Sequence, residues 1–434
     1  MRIAYLAAGA GAQFCGACAR DVNLALRLRA LGHEVLLAPL YTPLEVDGPD
    51  PSDKHVFYGG LHTYLEQKWS LFRRRLPLVD RLLDSRWLLR AVSHFAIDTR
   101  PEDLGAMTVS VLRGPEGRQA KELGELLDFL ERDVRPEVVN LTNSLLSAIA
   151  PEVKRRLGVP VVCTLQGEEA FVARLGAPHS ARAVELLRLN AAAVDLFVAP
   201  SADYAEEMAV FLNVPRARFR VVRPGVDISA YEPAGQGGAA AKPLRVGCLS
   251  RISPAKGTDL LCAAFARAAG ERPGRAVLAL AGQLSAAHER WWRDVESNLQ
   301  SRSRGAPGAP GFDFRGEVSF QEKLAFLRSL DVFVQASRIV ERRGMAALEA
   351  LASGVPVVLP RRGIFVELVE LTGGGLLVEP DSVEALAAAL VRLLDDAAGR
   401  ARMSRAARAG VERHYSAERM AEETLRVYEG LARR

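Results

Sequence analysis

Apolar residues recur along this chain in two alternating rhythms. Short runs such as RIAYLA (2–7), EVLLAPL (34–40), VVNL (138–141), VPVVCTL (159–165), DLFVAP (195–200) and FRVVRP (219–224) are almost continuously hydrophobic. Runs of that length, bounded by turn residues, predict strands covered on both faces. Between them the spacing lengthens to helical periodicity, as in ARDVNLALRLRALGH and over 181–194 and 202–212. Residues 232–243, EPAGQGGAAAKP, are small and aperiodic and read as a linker. The alternation then restarts. Strands are predicted at 244–250, 276–282, 331–335, 355–359 and 375–378, and helices at 257–269, 286–300, 320–329 and 344–353. A second loop, SRSRGAPGAPG (301–311), precedes FDFRG, and the tail from about 383 to 432 is rich in helix formers, broken near His414–Tyr415–Ser416.

Strand–helix alternation, met twice, predicts an α/β chain of two Rossmann-like, doubly wound parallel sheets. The expected division is 1–231, the linker 232–243, a second domain over 244–412, and a helix over 413–434 that packs back on the first domain. Ligands of open α/β sheets bind beyond the carboxyl ends of the strands. Two such sheets facing each other would form one cleft.

Composition narrows the class. With 49% hydrophobic and 25% charged residues the chain is expected to be a soluble globular protein. The start, MRIAYLAAGAGAQF, is broken too early by Gly and Gln for a secretory leader. No run of about 20 apolar residues predicts a membrane span. Five cysteines, an odd number without an export signal, point to reduced thiols in the cytoplasm. The net charge of +5 is unevenly placed: the segment 68–90 (KWSLFRRRLPLVDRLLDSRWLLR) carries a surplus as large as the whole chain's. It reads in two ways. One is an amphipathic stretch on an anionic surface, giving a peripheral contact at the inner face of a membrane. The other is a helix packed on its own domain with a solvated basic face. Nucleic acid is not an expected partner.

The chemistry-bearing residues gather in the second half. Glu341 and Glu349 stand eight positions apart in ERRGMAALEALASGVPVV, with Gly344 between them at a predicted helix start. Free amides and the helix dipole favour anions there. Carboxylates at an anion site make sense when the ligand also carries hydroxyls, and a nucleotide sugar carries both. RISPAKG (251–257) follows a strand and opens a helix. Arg251 and Lys256 suit a diphosphate, as a planar fork and a point charge, and Gly257 permits the tight entry. Gly363 starts a third strand-to-helix turn, which reads equally as an ordinary loop or as a donor of amides to a sugar or phosphate.

VGCLSRISPAKG, FRGEV, LDVFVQAS, the Glu–x7–Glu segment and GGGLLVEPD occur in an order and spacing that resemble the donor-binding half of family-4 retaining glycosyltransferases, which have the GT-B fold. RPGVD (223–227) fits as well, and the N-terminal half fits more loosely through a glycine loop and LRALGHEV. The resemblance implies roles by position. Arg251 and Lys256 would hold the donor diphosphate, Glu349 the ribose hydroxyls, and Glu341 would face the transferred sugar. Gly344 and Met345 would offer backbone amides. Phe314, Gly316 and Val318 would border the base. Gly16 would lie where the glycine loop approaches donor and acceptor.

Departures from the family pattern stand beside this. The family often has Gly-Phe-Gly after the first Glu, where this chain has Arg342-Arg343-Gly344. It often has a histidine in the first domain where Gln166 stands here; Gln can hydrogen-bond a hydroxyl but cannot exchange a proton. Glu168 and Glu169 are acceptor-side candidates that would compensate, or else ordinary acids at a helix start. No Asp-x-Asp occurs, so no metal and no cofactor are expected. Cys15-Gly-Ala-Cys18 reads as a small-residue turn more readily than as a redox or zinc pair. GAGAQF (9–14) is a poor dinucleotide fingerprint, because Phe14 takes the third glycine position.

The expected activity is metal-independent retaining transfer from a nucleoside-diphosphate sugar, a UDP-sugar favoured, to a carbohydrate, lipid or small-molecule hydroxyl. The alternatives are a non-catalytic binder of sugar nucleotides or polysaccharides, and an epimerase or phosphorylase on the same fold.

Overall fold

Strands rich in Val, Leu and Ala pair in parallel to give two six-stranded sheets. The computed structural model describes residues 1–9, 16–41, 52, 104–232, 243–303 and 311–432. The segment 68–90, Cys15, linker residues 233–242, loop residues 304–310 and most of the GAGAQF run lie outside the described residues.

The chain divides into two compact units, Met1–Gly225 with Met420–Arg434, and Val226–Arg419. In the first, β1 (Arg2–Ala7), β2 (Glu34–Pro39), β3 (Val138–Leu141), β4 (Val161–Thr164), β5 (Leu196–Ala199) and β6 (Phe219–Val221) lie in the order β2-β1-β3-β4-β5-β6. Side chains alternate across the sheet. Ala4 and Leu6 join the core on one face with Leu126 and Phe197, while Ile3, Tyr5 and Ala7 join the other with Leu24 and Leu28. That second face also receives Met420, Ala421, Val427 and Tyr428 from the helix Ala417–Ala432. Each large aliphatic or aromatic side chain so buried is worth about 1.5–3 kcal/mol. Helices Gly105–Leu112 and Ala120–Phe129 occupy an interval in which the sequence pattern named no element.

The second unit holds β7 (Leu244–Leu249), β8 (Ala276–Ala281), β9 (Gly311–Phe314), β10 (Val332–Val334), β11 (Val357–Pro360) and β12 (Gly375–Val378), ordered β12-β11-β10-β7-β8-β9. The C-terminal tail has one more break than its composition suggested. Asp396 ends the helix Val383–Asp395 and caps Ala397–His414, its Oδ1 accepting from Gly399 N at 2.7 Å. No described helix is long and apolar enough to cross a membrane.

Candidate functional site

In the second unit the chain builds β7, β8 and β9 outward in one direction, and β10, β11 and β12 in the other. The gap between β7 and β10 is therefore a topological switch point, where open α/β sheets take their ligands. The turn leaving β7 is tightly specified. Ser253 Oγ accepts from Lys256 N, and Gly257 takes φ +67°. A Cβ at Gly257 would lie 1.8 Å from the Ala336 carbonyl oxygen, so only glycine lets this turn pass so close to the chain leaving β10.

Across the switch point Lys256 Nζ lies 2.5 Å from Glu341 Oε1. Gln335 Nε2 at 3.1 Å and Ser337 Oγ at 3.0 Å donate to the same oxygen. Both charged side chains keep 15% exposure, enough to meet a ligand while held in place. Arg338 straps the two loops together: it donates to both carboxylate oxygens of Asp259 at 2.7 Å and to Pro254 O at 2.5 Å. Those bonds to Asp259 raise the Arg338 pKa further above its ordinary value. The Gly363 turn braces Glu341 from behind, with Ile364 N donating to Glu341 O at 3.1 Å. Gly344 caps the helix Met345–Ala352, and Met345 is half-buried at its start. Arg251 is exposed and takes part in none of these bonds.

Glu349 belongs to a separate cluster. It is buried, 6% exposed, and its Oε1 accepts from Lys323 Nζ at 2.9 Å and from Tyr231 Oη at 3.0 Å. Removing one member of such a pair would leave an uncompensated buried charge. The two glutamates of the motif thus sit in two hydrogen-bond networks, not one.

The turn holding Gly316 and Val318 follows β9. Gly282 N donates to Gly316 O at 2.7 Å, and Ile252 N to Gln283 O at 2.9 Å, so the turns after β9, β8 and β7 are stitched in a row that ends beside Arg251. Phe314 packs on Trp292, ring centroids 5.3 Å apart, and Val318 packs against the core.

In the first unit the helix Gly16–Ala30 begins at Gly16, and Cys18 is buried in the core. Glu168 is also buried. Its Oε1 accepts from Ser144 N at 2.7 Å, and its Oε2 from Gln166 N at 2.8 Å and Gly167 N at 2.9 Å. Burial raises its pKa, opposed by backbone donors that include Gln166 and Ser144. The carboxylate therefore clamps the loop after β3 to the loop after β4. Glu169 accepts from Tyr204 Oη at 2.5 Å. Gln166 is half-buried, and its Nε2 lies 3.4 Å from Asp21 Oδ2; Asp21 Oδ1 in turn accepts from Tyr5 Oη and Arg20, each at 2.9 Å. Among the described residues, no group of three or more His, Cys, Asp or Glu side chains is arranged to hold a metal ion.

Residues 16–225 match the family model described as Glycosyl transferase 4-like domain, and residues 234–410 match Glycosyl transferases group 1. Together these two glycosyl transferase models span most of the chain. The chain is similar to the GDP-mannose-dependent monoacylated alpha-(1-6)-phosphatidylinositol monomannoside mannosyltransferase of Corynebacterium glutamicum, 31% identical over 220 residues, 47% of this chain and 54% of that one. It is similar too to the lipopolysaccharide core biosynthesis mannosyltransferase LpsB of Rhizobium meliloti, 32% identical over 236 residues, 52% and 64% of the respective chains. The matched stretches thus span about half to two thirds of these relatives' lengths. The solved structure of Anabaena HepE in complex with UDP and glucose has the same fold, with a TM-score of 0.67, 17% identity, and 99% and 100% of the two chains covered.

The sequence pattern did not single out Gln335, Ser337, Lys323 and Tyr231 of this site, nor the Arg338–Asp259 strap. The first two were visible as polar residues closing the apolar strand DVFVQAS. The signal for Lys323 was fainter: it lies three residues after Phe320 and three before Phe326, on the apolar stripe of its helix. Tyr231 adjoins the linker and carries no periodic signal.

Proposed function

We propose that the protein transfers a sugar from a nucleoside-diphosphate sugar to an acceptor hydroxyl, with retention of anomeric configuration and without a bound metal. The observation that carries this is the Lys256–Glu341 contact across the switch point. A cation able to meet phosphate and a carboxylate able to meet hydroxyls stand side by side, next to a glycine-capped helix start. Arg251 and Lys256 neutralise charge growing on the leaving diphosphate, the task a metal would otherwise perform. Glu341 orients the transferred sugar, and Glu349 reads the ribose. The transition state has oxocarbenium character, and the acceptor hydroxyl attacks on the face the diphosphate leaves. Gln166 orients the acceptor. A UDP-sugar stands first among donors, in keeping with the UDP bound to HepE; a GDP-sugar stands beside it, in keeping with the GDP-mannose named for the corynebacterial relative. That relative's name, with its phosphatidylinositol monomannoside, also supports a lipid-linked acceptor.

The test is a thermal-shift screen of UDP-, GDP- and ADP-sugars, since a ligand that binds the folded site raises Tm by mass action. Transfer with the hit donor, in the presence of a chelator, follows, and the product anomer is read by NMR. No shift with any donor overturns the reading. An inverted anomer overturns retention, and chelator-sensitive transfer overturns metal independence.

A further inference from the structure

The buried pair Lys323–Glu349 has no part in the diphosphate chemistry, yet it is among the most enclosed ion pairs of the second unit, with side-chain exposures of 7% and 8%. Lys323 is held on two sides: Nζ donates to Glu349 Oε1 at 2.9 Å and lies 4.8 Å from the Phe320 ring centroid. Tyr231 Oη donates to the same oxygen at 3.0 Å. Both donors converge on Oε1, and neither reaches Oε2. A buried ion pair is a poor source of stability, because desolvation cancels most of its attraction. It does fix geometry, and a carboxylate oxygen held by two donors is fixed as a hydrogen-bond acceptor.

We propose that Lys323 and Tyr231 are positioning residues that hold Glu349 as a fixed acceptor for the donor's ribose hydroxyls, and so set the site's preference for ribonucleotides. This rests on the donor reading above. The hydroxyls of a ribose are donors that such an acceptor can distinguish from bare carbon, because a buried carboxylate oxygen left without its donor is costly.

The experiment measures Kd by titration calorimetry for UDP and GDP and for their 2′,3′-dideoxy forms. The proteins are the wild-type chain, Lys323→Met, Tyr231→Phe and Glu349→Gln. The wild type is expected to favour the ribose form at least roughly tenfold, about 1.4 kcal/mol. Lys323→Met and Glu349→Gln are expected to reduce that preference to within about threefold while binding the dideoxy form as the wild type does, a split that general misfolding cannot produce. Tyr231→Phe removes one hydroxyl from the cluster and should reduce the preference partially, which keeps the proposal testable if Lys323→Met does not fold. Undiminished ribose preference in Tyr231→Phe and in any folded Lys323→Met, or equal loss of both ligands, overturns the proposal alone. A wild-type chain that binds neither form overturns the donor reading and the proposal together.

Discussion

Lys256 Nζ and Glu341 Oε1 lie 2.5 Å apart, joining the turn after β7 to the loop after β10 at the point where the strand order reverses. Under the proposed function the pair would exchange partners: a diphosphate would compete for the ammonium and a sugar hydroxyl for the carboxylate, so each half of a donor would replace half of the existing bond.

That exchange has a measurable signature. Lys256→Ala is expected to weaken donor binding at least roughly tenfold, or about 1.4 kcal/mol, and so is Glu349→Ala. Glu341→Gln added to Lys256→Ala should cost less than it does alone, because bonded residues do not act additively. Titration calorimetry with the donor identified by thermal shift measures all three. Unchanged affinity in Lys256→Ala and Glu349→Ala removes the site assignment.

Gly257→Ala should destabilise the second unit. The added Cβ would meet the Ala336 carbonyl at 1.8 Å, and φ +67° is strained for alanine. Strain and overpacking together suggest about 2–5 kcal/mol in urea unfolding. Gly270→Ala is the control: it lies in the helix Thr258–Glu271 with nothing within 4 Å of a new Cβ. It should be neutral or stabilise by up to about 1 kcal/mol. Equal effects of the two substitutions would refute the packing argument.

Glu168 and Glu169 adjoin each other in sequence but should behave differently. Glu168→Ala strands three backbone N–H groups, those of Ser144, Gln166 and Gly167. With a cost of about 1–3 kcal/mol for each unsatisfied group, a total near 3 kcal/mol or more is expected. Glu169→Ala removes the bond from Tyr204, whose hydroxyl also reaches Glu168 Oε2 at 3.3 Å, and should cost about 1 kcal/mol. Chemical denaturation of both variants decides it; a mild Glu168→Ala would mean the loops are held by other means.

Acid should release one surface contact in a defined direction. Burial pushes the Asp313 carboxyl up, but hydrogen bonds from Arg245 and Arg315 outweigh that and leave its pKa below the usual value. A depressed folded pKa gives stability that is complete above the unfolded value, about 4, and is lost as pH falls through the folded one. The Asp313 side chain is 40% exposed, so solvent screening limits the gain to about 0.5–1 kcal/mol. Asp313→Asn should trail the wild type by that amount at neutral pH and match it in strong acid. A gap that persists in acid would assign it to something other than charge.

Much of this was legible in the sequence because parallel strands buried on both faces are written as unbroken apolar runs, and β1, β3 and β12 fall on the residues the pattern named. Lys256, Gly257 and Glu341 were legible for a similar reason: turns at strand ends concentrate chemistry and glycine in a few adjacent letters. Lys323 and Tyr231 were not. They acquire meaning only through Glu349, from which they stand 26 and 118 residues away, and a lone lysine in a helix looks like solvent-facing charge until its partner is known. Glu168 was misleading in the opposite sense. An acid at a helix start near a candidate site invites a role toward a ligand, while its oxygens are occupied by the protein's own backbone.

The helix that closes the second face of the first sheet comes from the far end of the chain. During synthesis, Ile3, Tyr5 and Val162 are translated long before Met420 and Tyr428, with the whole second unit made in between. Until then the earlier half carries an uncovered apolar surface. The first unit therefore cannot be completed until the last helix of the chain has been made.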